Sequence, residues 1–202
     1  MNTVPDWLHT ERLALRRFTP DDLDTLCALY GDERVARHVG GVKSPVECAL
    51  MLRERILDYY AAHPGLGVWL TCLRTGGAPI GLHLLNHIRG ESYIQVGYLL
   101  AVAHWGRGYA TEGAHALLHY GFALRGLARI VAITDPDNTA SQHVLVKCGL
   151  ERRGERVLAH PSYAGKPLAW FELEAEAWRG RRPASPAPVL WSEHACPAVM
   201  FY

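Results

Sequence analysis

The chain has 202 residues, of which 49% are apolar and 20% charged, so it can bury one core and one domain is expected. Its 21 Lys and Arg against 20 Asp and Glu leave a formal charge of +1, which predicts neither a nucleic-acid partner nor an anionic membrane surface. Five dispersed cysteines without a C-x-x-C pair favour a reducing cytoplasm over a disulfide framework or a zinc site. We expect no signal peptide and no membrane span, because no apolar run approaches about 18 residues.

The first half of the chain predicts one strand, two helices and a three-stranded meander. Residues 12–18 alternate apolar and basic side chains, which indicates a strand, and the Thr19-Pro-Asp-Asp stretch then caps a helix reaching residue 30. Ser44, Pro45 and Glu47 have the pattern of a capping box and predict a helix to about residue 62. The meander follows, with three apolar runs separated by turns at Thr75-Gly-Gly and Arg89-Gly: residues 68–73, 80–88 and 93–102.

The second half predicts a loop and helix, a strand, a short helix and a closing hairpin. Residues 129–134 form the strand, and Asn138 caps a helix from about Thr139 to Cys148, with Gly149 just past its end. The hairpin pairs residues 151–160 with residues 168–173. We expect residues 1–179 to be the folded domain and residues 180–202 a Pro-rich C-terminal extension. Its apolar end, residues 197–202, predicts docking on its own domain or on a neighbouring subunit.

The most informative stretch is V-G-Y-L-L-A-V-A-H-W-G-R-G-Y-A-T-E-G, residues 96–113, which joins a strand to a helix through a glycine-bearing loop. Gly106 and Gly108 allow a tight turn, and the N–H groups at a helix start favour a phosphate. A P-loop needs Gly-Lys-Ser/Thr, and a Rossmann loop needs a glycine where Thr111 stands. His115 and His119 have metal-ligand spacing but no evident third ligand, so a solvated helix face is expected and no metal is predicted.

Several motifs in order resemble the GNAT superfamily of acetyl-CoA-dependent N-acetyltransferases, and more closely its Rim-type branch of ribosomal-protein N-terminal acetyltransferases. They are Thr10-Glu-Arg-Leu-Ala-Leu-Arg16, Gly97-Tyr98, Trp105-Gly-Arg-Gly-Tyr-Ala-Thr-Glu112, Asn138-Thr-Ala-Ser141 and Lys147-Cys-Gly-Leu150. The resemblance implies an α/β (α+β) fold with a mixed, mostly antiparallel sheet, flanked by helices and splayed between strands four and five. It also implies a set of residues that bind the CoA cosubstrate: Leu100, Val102, Trp105, Gly106, Arg107, Gly108, Tyr109, Ala110, Thr111, Asn138 and Ser141.

The resemblance implies direct acyl transfer, in which Ser141 is the group near the leaving thiolate. Many Rim-type relatives carry a glutamate two residues before the Gly-Tyr pair, but Gln95 stands there and cannot accept a proton at neutral pH. Either another group or a water chain then serves as the base. With a turn centred at Gly90, Gln95 faces Leu85 and Gly97 faces His83, so His83 and His87 share a sheet face with both. We therefore hypothesise that His83 or His87 replaces the glutamate.

Gly97 within an apolar strand is typical of a β-bulge or of a close backbone approach, and a bulge there would help to splay the sheet. The predicted partners are acetyl-CoA and an amine acceptor, either a protein N-terminus or a small amino compound, with a homodimer as a further possibility. Gln95 keeps a CoA-binding sensor or degenerate homologue open as an alternative. Asp135 at a strand end keeps a dinucleotide-binding oxidoreductase open as a third.

Overall fold

The computed structural model describes residues 7–180 and 189–191, and within them one sheet of nine strands runs through the molecule. Its strand order is β7-β8-β6-β5-β4-β3-β2-β1-β9. The strands are β1 (Trp7–His9), β2 (Leu13–Arg17), β3 (Gly67–Leu73), β4 (Pro79–His87), β5 (Ile94–Leu100), β6 (Arg129–Thr134), β7 (Glu151–Val157), β8 (Pro167–Glu174) and β9 (Val189–Trp191). Every neighbouring pair is antiparallel except β5 and β6, which run parallel.

Helices cover both faces of this sheet. They are α1 (Leu23–Gly31), α2 (Glu33–Ala36), α3 (Pro45–Leu50), α4 (Asp58–Ala62), α5 (Tyr109–His119), α6 (Thr139–Lys147) and α7 (Ala175–Arg179). A π-helical segment, Met51–Leu57, joins α3 to α4, and a second one, Tyr120–Leu124, extends α5. One core packs α5 against Leu85 and Val96, and the other packs the helices of residues 23–62 against Leu82 and Leu99. The predicted α/β fold, with helices flanking a mixed sheet, is confirmed.

The caps predicted at the ends of two helices, α3 and α6, are confirmed. Each cap is formed by residues within three or four positions of one another, so the local sequence is enough to predict it. The Ser44 side chain accepts a hydrogen bond from Glu47 N, and the Glu47 carboxylate reaches back to Ser44 N. At α6, Asn138 Oδ1 accepts from Ser141 N at 3.0 Å, and Gly149 follows the helix with a positive φ of 89°. Strands β1 and β9 were not predicted, since three residues are too few for a period-2 pattern to stand out.

The register predicted for the β4–β5 hairpin is wrong by one residue. His83 pairs with Tyr98, Leu84 with Gly97 and Asn86 with Gln95. The Ile88 carbonyl accepts from Glu91 N, and Ile88 N donates to the Tyr93 carbonyl, so the turn is centred between residues 90 and 91. Because side chains alternate, this shift moves Gln95 and Gly97 to the face opposite His83 and His87.

The sheet opens where β6 leaves β5. Their ladder contains a single residue pair, Gln95 with Val131, so the strands diverge toward their C-terminal ends. The splay between strands four and five, which are β5 and β6 here, is therefore confirmed. The bulge considered at Gly97 is not found, because the β4–β5 register is continuous there. Gly97 instead meets a close neighbour: a Cβ added to it would lie 3.0 Å from Leu84 Cδ1.

The C-terminal extension contributes one strand to the sheet. Val189–Trp191 pairs antiparallel with β1 at the sheet edge. The docking predicted for residues 197–202 falls outside the described residues. Within the described part of the chain, no helix combines the length and apolarity that a membrane crossing needs.

Candidate acetyl-CoA site

The loop between β5 and α5 presents a run of unbonded backbone donors. Gly106 and Gly108 have φ values of 71° and 81°, a conformation that residues with a Cβ rarely adopt. The first helical bond of α5 runs from Glu112 N to the Gly108 carbonyl. Among the described residues, no acceptor is bonded to the N–H groups of residues 106–111. Six consecutive donors at the positive end of an 11-residue helix form a cradle for an anion such as a diphosphate.

Two side chains hold this loop in place. The Trp105 indole Nε1 donates to the Leu100 carbonyl at 2.7 Å and so ties the loop to the end of β5. Arg12 Nη1 donates to the Arg107 carbonyl at 3.0 Å, while its guanidinium lies 4.7 Å from the centre of the Tyr109 ring. These two contacts hold the loop backbone in the shape that presents its donors.

Glu112 connects the start of α5 to the N-terminal strands. Its carboxylate accepts from Thr10 Oγ1 at 2.5 Å, from Arg12 N at 2.8 Å and from Arg12 Nε at 2.6 Å. Burial raises the pKa of this carboxyl, but the hydrogen bonds from Thr10 and Arg12 outweigh it and hold the pKa below its ordinary value. Glu112 therefore stays ionised and anchors Arg12, which in turn anchors the loop.

The slot between β5 and β6 is lined by backbone groups of β5. Ala101 N donates to the Ile80 carbonyl, so Ala101 bonds toward β4. Alternation along an antiparallel ladder then turns the N–H and C=O groups of Tyr98 and Leu100 away from β4, toward β6. Since β6 pairs only at Gln95, those groups face an opened slot rather than a neighbouring strand. Val102 differs: it begins a 3-10 turn, and its carbonyl accepts from Trp105 N.

The N-terminus of α6 lies across this slot. Tyr98 Oη donates to the Ser141 carbonyl at 2.9 Å and lies 3.1 Å from Ser141 Oγ. Burial raises the pKa of the Tyr98 phenol, so it remains a neutral hydrogen-bond donor. Asn138 acts as the N-cap that fixes Ser141 in the first turn of α6. Ser141 and the β5 backbone are thereby brought together.

His83 is buried beneath α5. Its side chain has no exposed surface, its Nδ1 lies 2.7 Å from Thr71 Oγ1 and its Nε2 lies 3.3 Å from the Ala110 carbonyl. Burial lowers its pKa to about 4. A Cβ added to Gly113 would lie 2.3 Å from Nε2, so the absence of that atom makes room for the ring. His83 supports the first turn of α5 and has no opening through which a substrate could reach it.

His87 lies at the far end of β4 from the loop. Its Nδ1 lies 2.7 Å from Tyr59 Oη, and its ring centre is 4.8 Å from that of His63. Gln95 faces the other side of the sheet, where its Nε2 donates to Asn86 Oδ1 at 3.2 Å. The two histidines and Gln95 are therefore not brought together, and the prediction that they share one face is wrong because of the hairpin register.

The sequence analysis did not predict a role at the site for three residues that support it: Arg12, Glu112 and Tyr98. Arg12 and Glu112 lie within the motifs that carry the family resemblance, but they are 100 residues apart and nothing local links them. Tyr98 follows the conspicuous Gly97, but its partner Ser141 is 43 residues away. In the described part of the chain, no group of three or more His, Cys, Asp or Glu side chains could hold a metal ion.

Comparison with known proteins gives one consistent family. The acetyltransferase (GNAT) domain family matches residues 12–151. The chain is 31% identical over 153 residues to the uncharacterized N-acetyltransferase YoaA of Bacillus subtilis, covering 73% of this chain and 84% of that protein. The crystal structure of an acetyltransferase from Agrobacterium tumefaciens superimposes with a TM-score of 0.73 at 25% identity, covering 86% of this chain and 96% of that one.

The fold also matches RimL, a ribosomal alpha-N-protein acetyltransferase solved in complex with coenzyme A, with a TM-score of 0.67 at 20% identity. That match covers 83% of this chain and 97% of RimL. The mostly antiparallel sheet does not have the doubly wound parallel order that a dinucleotide-binding fold requires. The sequence match, the splayed sheet and the donor-rich loop agree, and the chain therefore belongs to the GNAT family of acetyl-CoA-dependent N-acetyltransferases.

Proposed function

We propose that this protein transfers the acetyl group of acetyl-CoA to a primary amine, either a protein N-terminus or a small amino compound, by direct attack in a ternary complex. The observation that carries the proposal is the run of six N–H groups at residues 106–111 beside a slot that ends at Ser141. The diphosphate of CoA matches the donors, and the pantetheine arm can pair with the β5 backbone groups that face the slot. The acetyl group then lies near Tyr98 and Ser141.

In this proposal, different residues of the loop and of β5 bind different parts of CoA. The N–H groups from Gly106 to Thr111 bind the diphosphate, and the side chains of Trp105 and Tyr109 support the loop through the Leu100 carbonyl and the Arg12 guanidinium. The Leu100 N–H pairs with the pantetheine arm, since its carbonyl already accepts from Trp105. Val102 contributes less to binding the pantetheine arm, because its carbonyl already accepts a hydrogen bond from Trp105 N.

The chemistry needs three proton and charge adjustments. The acceptor ammonium loses a proton, the thioester carbonyl is polarised and the leaving thiolate is protonated. The Tyr98 N–H, turned into the slot, polarises the carbonyl. Ser141 Oγ, held by Asn138 and Tyr98, lies where it can donate to the sulfur. His83 is poorly suited as the base because it is sealed in the core, and His87 has the exposure but lies at the far end of β4.

A second candidate function is CoA binding without turnover, as in a sensor. The observation that favours it is the hydrogen bond between the amides of Gln95 and Asn86, because neither amide can take a proton from an amine at neutral pH. The two candidates share the cofactor cradle and differ in what happens to the thioester.

One pair of measurements separates them. Calorimetry with CoA tests the cradle, and release of free thiol from acetyl-CoA against a panel of amines tests transfer. The panel contains peptides with different N-terminal residues, polyamines, aminoglycosides and amino acids. Binding with thiol release that depends on an amine supports the enzyme. Binding without release from any amine supports the sensor, and no binding refutes both.

The remaining proposals concern organisation. We infer a catalytic domain of residues 1–179 with an extension of residues 180–202 that adds β9 to the edge of the sheet. The four cysteines in the described chain are free, which supports a cytoplasmic location. A truncation after Arg179 tests the extension. Loss of melting temperature or of a homodimer in gel filtration is expected, and no change in either contradicts a docked extension.

A further inference from the structure

A histidine–carboxylate pair connects the turn after α2 to the end of β6. His38 follows α2, and its Nδ1 lies 3.3 Å from Oδ2 of Asp135, which directly follows the last residue of β6. The two residues are 97 positions apart, and the His38 side chain keeps only 18% of its surface exposed. The contact therefore depends on the tertiary fold and is not an incidental neighbour interaction.

The partners of His38 determine which ring nitrogen carries the proton. An ionised carboxylate only accepts hydrogen bonds, so Nδ1 carries the hydrogen toward Asp135. Arg37 Nε only donates, and it lies 3.0 Å from His38 Nε2, so Nε2 presents its lone pair. A carboxylate that holds one nitrogen while the other keeps a lone pair is the arrangement of a general base.

The location suits proton removal from the acceptor. Asp135 extends the strand that diverges from β5, so the pair lies at the mouth of the slot. Helix α5 and the CoA loop cover the face that contains His83, whereas His38 comes from the helices on the face that contains Gln95. The imidazole thus meets Asp135, at the end of β6, from the side of the sheet opposite α5.

The groups around the pair are few and mostly exposed. Asp135 Oδ1 accepts from Asp137 N at 2.9 Å, and Lys166 on the β7–β8 hairpin acts on Asp135 through its charge. The bond from Asp137 N, followed by the contact with His38, holds the pKa of Asp135 below its ordinary value, so the carboxylate stays ionised. Arg37 is exposed and holds the position on Nε2 that an N–H donor takes. An incoming ammonium group is such a donor and can replace it.

We propose that His38, oriented by Asp135, is the general base that deprotonates the acceptor amine. This inference rests on the proposed acetyl transfer. Nε2 takes one proton from R–NH3+, and the amine nitrogen forms a bond to the thioester carbon. The C–S bond then breaks, the second proton moves from nitrogen to the thiolate, and His38 returns its proton to water. The products are the acetamide, free CoA thiol and one released proton.

The test is kinetic, with His38→Asn as the main variant, because the asparagine amide nitrogen can keep the bond to Asp135 but cannot take a proton. We expect kcat to fall by about 10²-fold or more, with KM for acetyl-CoA nearly unchanged. The acidic limb of the kcat/KM profile against pH should disappear. Added imidazole should restore part of the activity of His38→Ala, which a purely structural role would not produce.

Two further variants keep the outcome interpretable. Asp135→Asn retains an oxygen for Asp137 N and turns its amide N–H to His38 Nδ1, which moves the ring proton to Nε2. Its expected loss in kcat is therefore also about 10²-fold or more, so it tests the pair even if His38→Asn does not fold. His119→Asn is the matched control, because that ring packs edge-on against Trp178 at the end of α5 and should leave the pH profile unchanged.

Failure of this inference is distinct from failure of the proposed function. Wild-type turnover together with an unchanged rate and pH profile in His38→Asn overturns the role of His38 alone. Wild-type protein that binds CoA yet releases no thiol with any amine overturns both. Loss of the acidic limb in the His119→Asn control also overturns the assignment, since the limb would then not report His38.

Discussion

Replacing Gly108 by alanine tests the donor cradle directly. Gly108 has a φ of 81° and is the residue from which α5 starts. An L-residue in this left-handed region costs roughly 1–2 kcal/mol. The added Cβ would lie 3.3 Å from Arg12 Nη2, the flexible end of a side chain, so that contact adds little.

The backbone cost can appear in two ways. If the loop keeps its shape, the free energy of unfolding falls by about 1–2 kcal/mol, which lowers Tm by about 2–8 °C for a chain of this size. If the loop relaxes to a negative φ, the N–H groups of residues 106–111 turn away from the diphosphate. Binding then weakens by about tenfold for each 1.4 kcal/mol lost. We expect both effects in Gly108→Ala.

Gly126→Ala is the matched control. Gly126 has a φ of 65°, and a Cβ on it meets no atom within 4 Å, so it carries a similar backbone cost outside the loop. Scanning calorimetry of both variants measures Tm, and titration calorimetry with CoA measures Kd. Gly126→Ala should lose Tm but keep its Kd. Equal Kd values in wild type and Gly108→Ala would falsify the cradle.

Three other perturbations probe the supports of the site. Burial lowers the pKa of His83 to about 4, whereas its pKa in the unfolded chain is near 6.5, so the free energy of unfolding should fall by at most about 3 kcal/mol from pH 6.5 to pH 4. Urea unfolding of His83→Gln should show no such loss. A His83→Gln variant whose free energy of unfolding falls as steeply as that of the wild type contradicts the assignment. The depressed pKa of Glu112 predicts a stabilisation that is present above about pH 4.5 and is lost below it. Glu112→Gln should therefore be less stable than the wild type at pH 7, and its free energy of unfolding should change less below about pH 4.5. Equal stability of the two proteins at pH 7 would argue against the Arg12 anchor. Tyr98→Phe removes a partly buried hydrogen bond to Ser141 worth about 1 kcal/mol and should lower Tm by about 2–4 °C. In this variant kcat should fall while the Kd for CoA is unchanged, and an unchanged kcat would contradict the role of Ser141.

The sequence by itself determined the features that depend on a few consecutive residues. Ser44 with Glu47, and Asn138 with Ser141, bond across three positions, so the residue types alone predict the helix starts. Gly106 and Gly108 can be predicted as turn residues in the same way, because few other residues adopt a positive φ. The family resemblance rests on these same short motifs.

The register of the β4–β5 hairpin depends on its turn, and the sequence alone does not determine which residues of the turn are hydrogen-bonded. A turn centred on Gly90 differs from the observed ladder by one residue, and with period-2 alternation it places Gln95 on the wrong face. The histidine hypothesis was built on that face. A single turn bond, from Glu91 N to the Ile88 carbonyl, accounts for the difference.

Only the tertiary structure decided which distant side chains meet. Arg12 reaches Glu112, Tyr98 reaches Ser141 and His38 reaches Asp135 because strand order and helix packing bring separate segments to one slot. No local bond encodes these pairs, so residue types and spacing leave them undetermined. The sequence therefore predicts the loop that we propose binds CoA, whereas the side chains that fix this loop depend on contacts made when the sheet assembles.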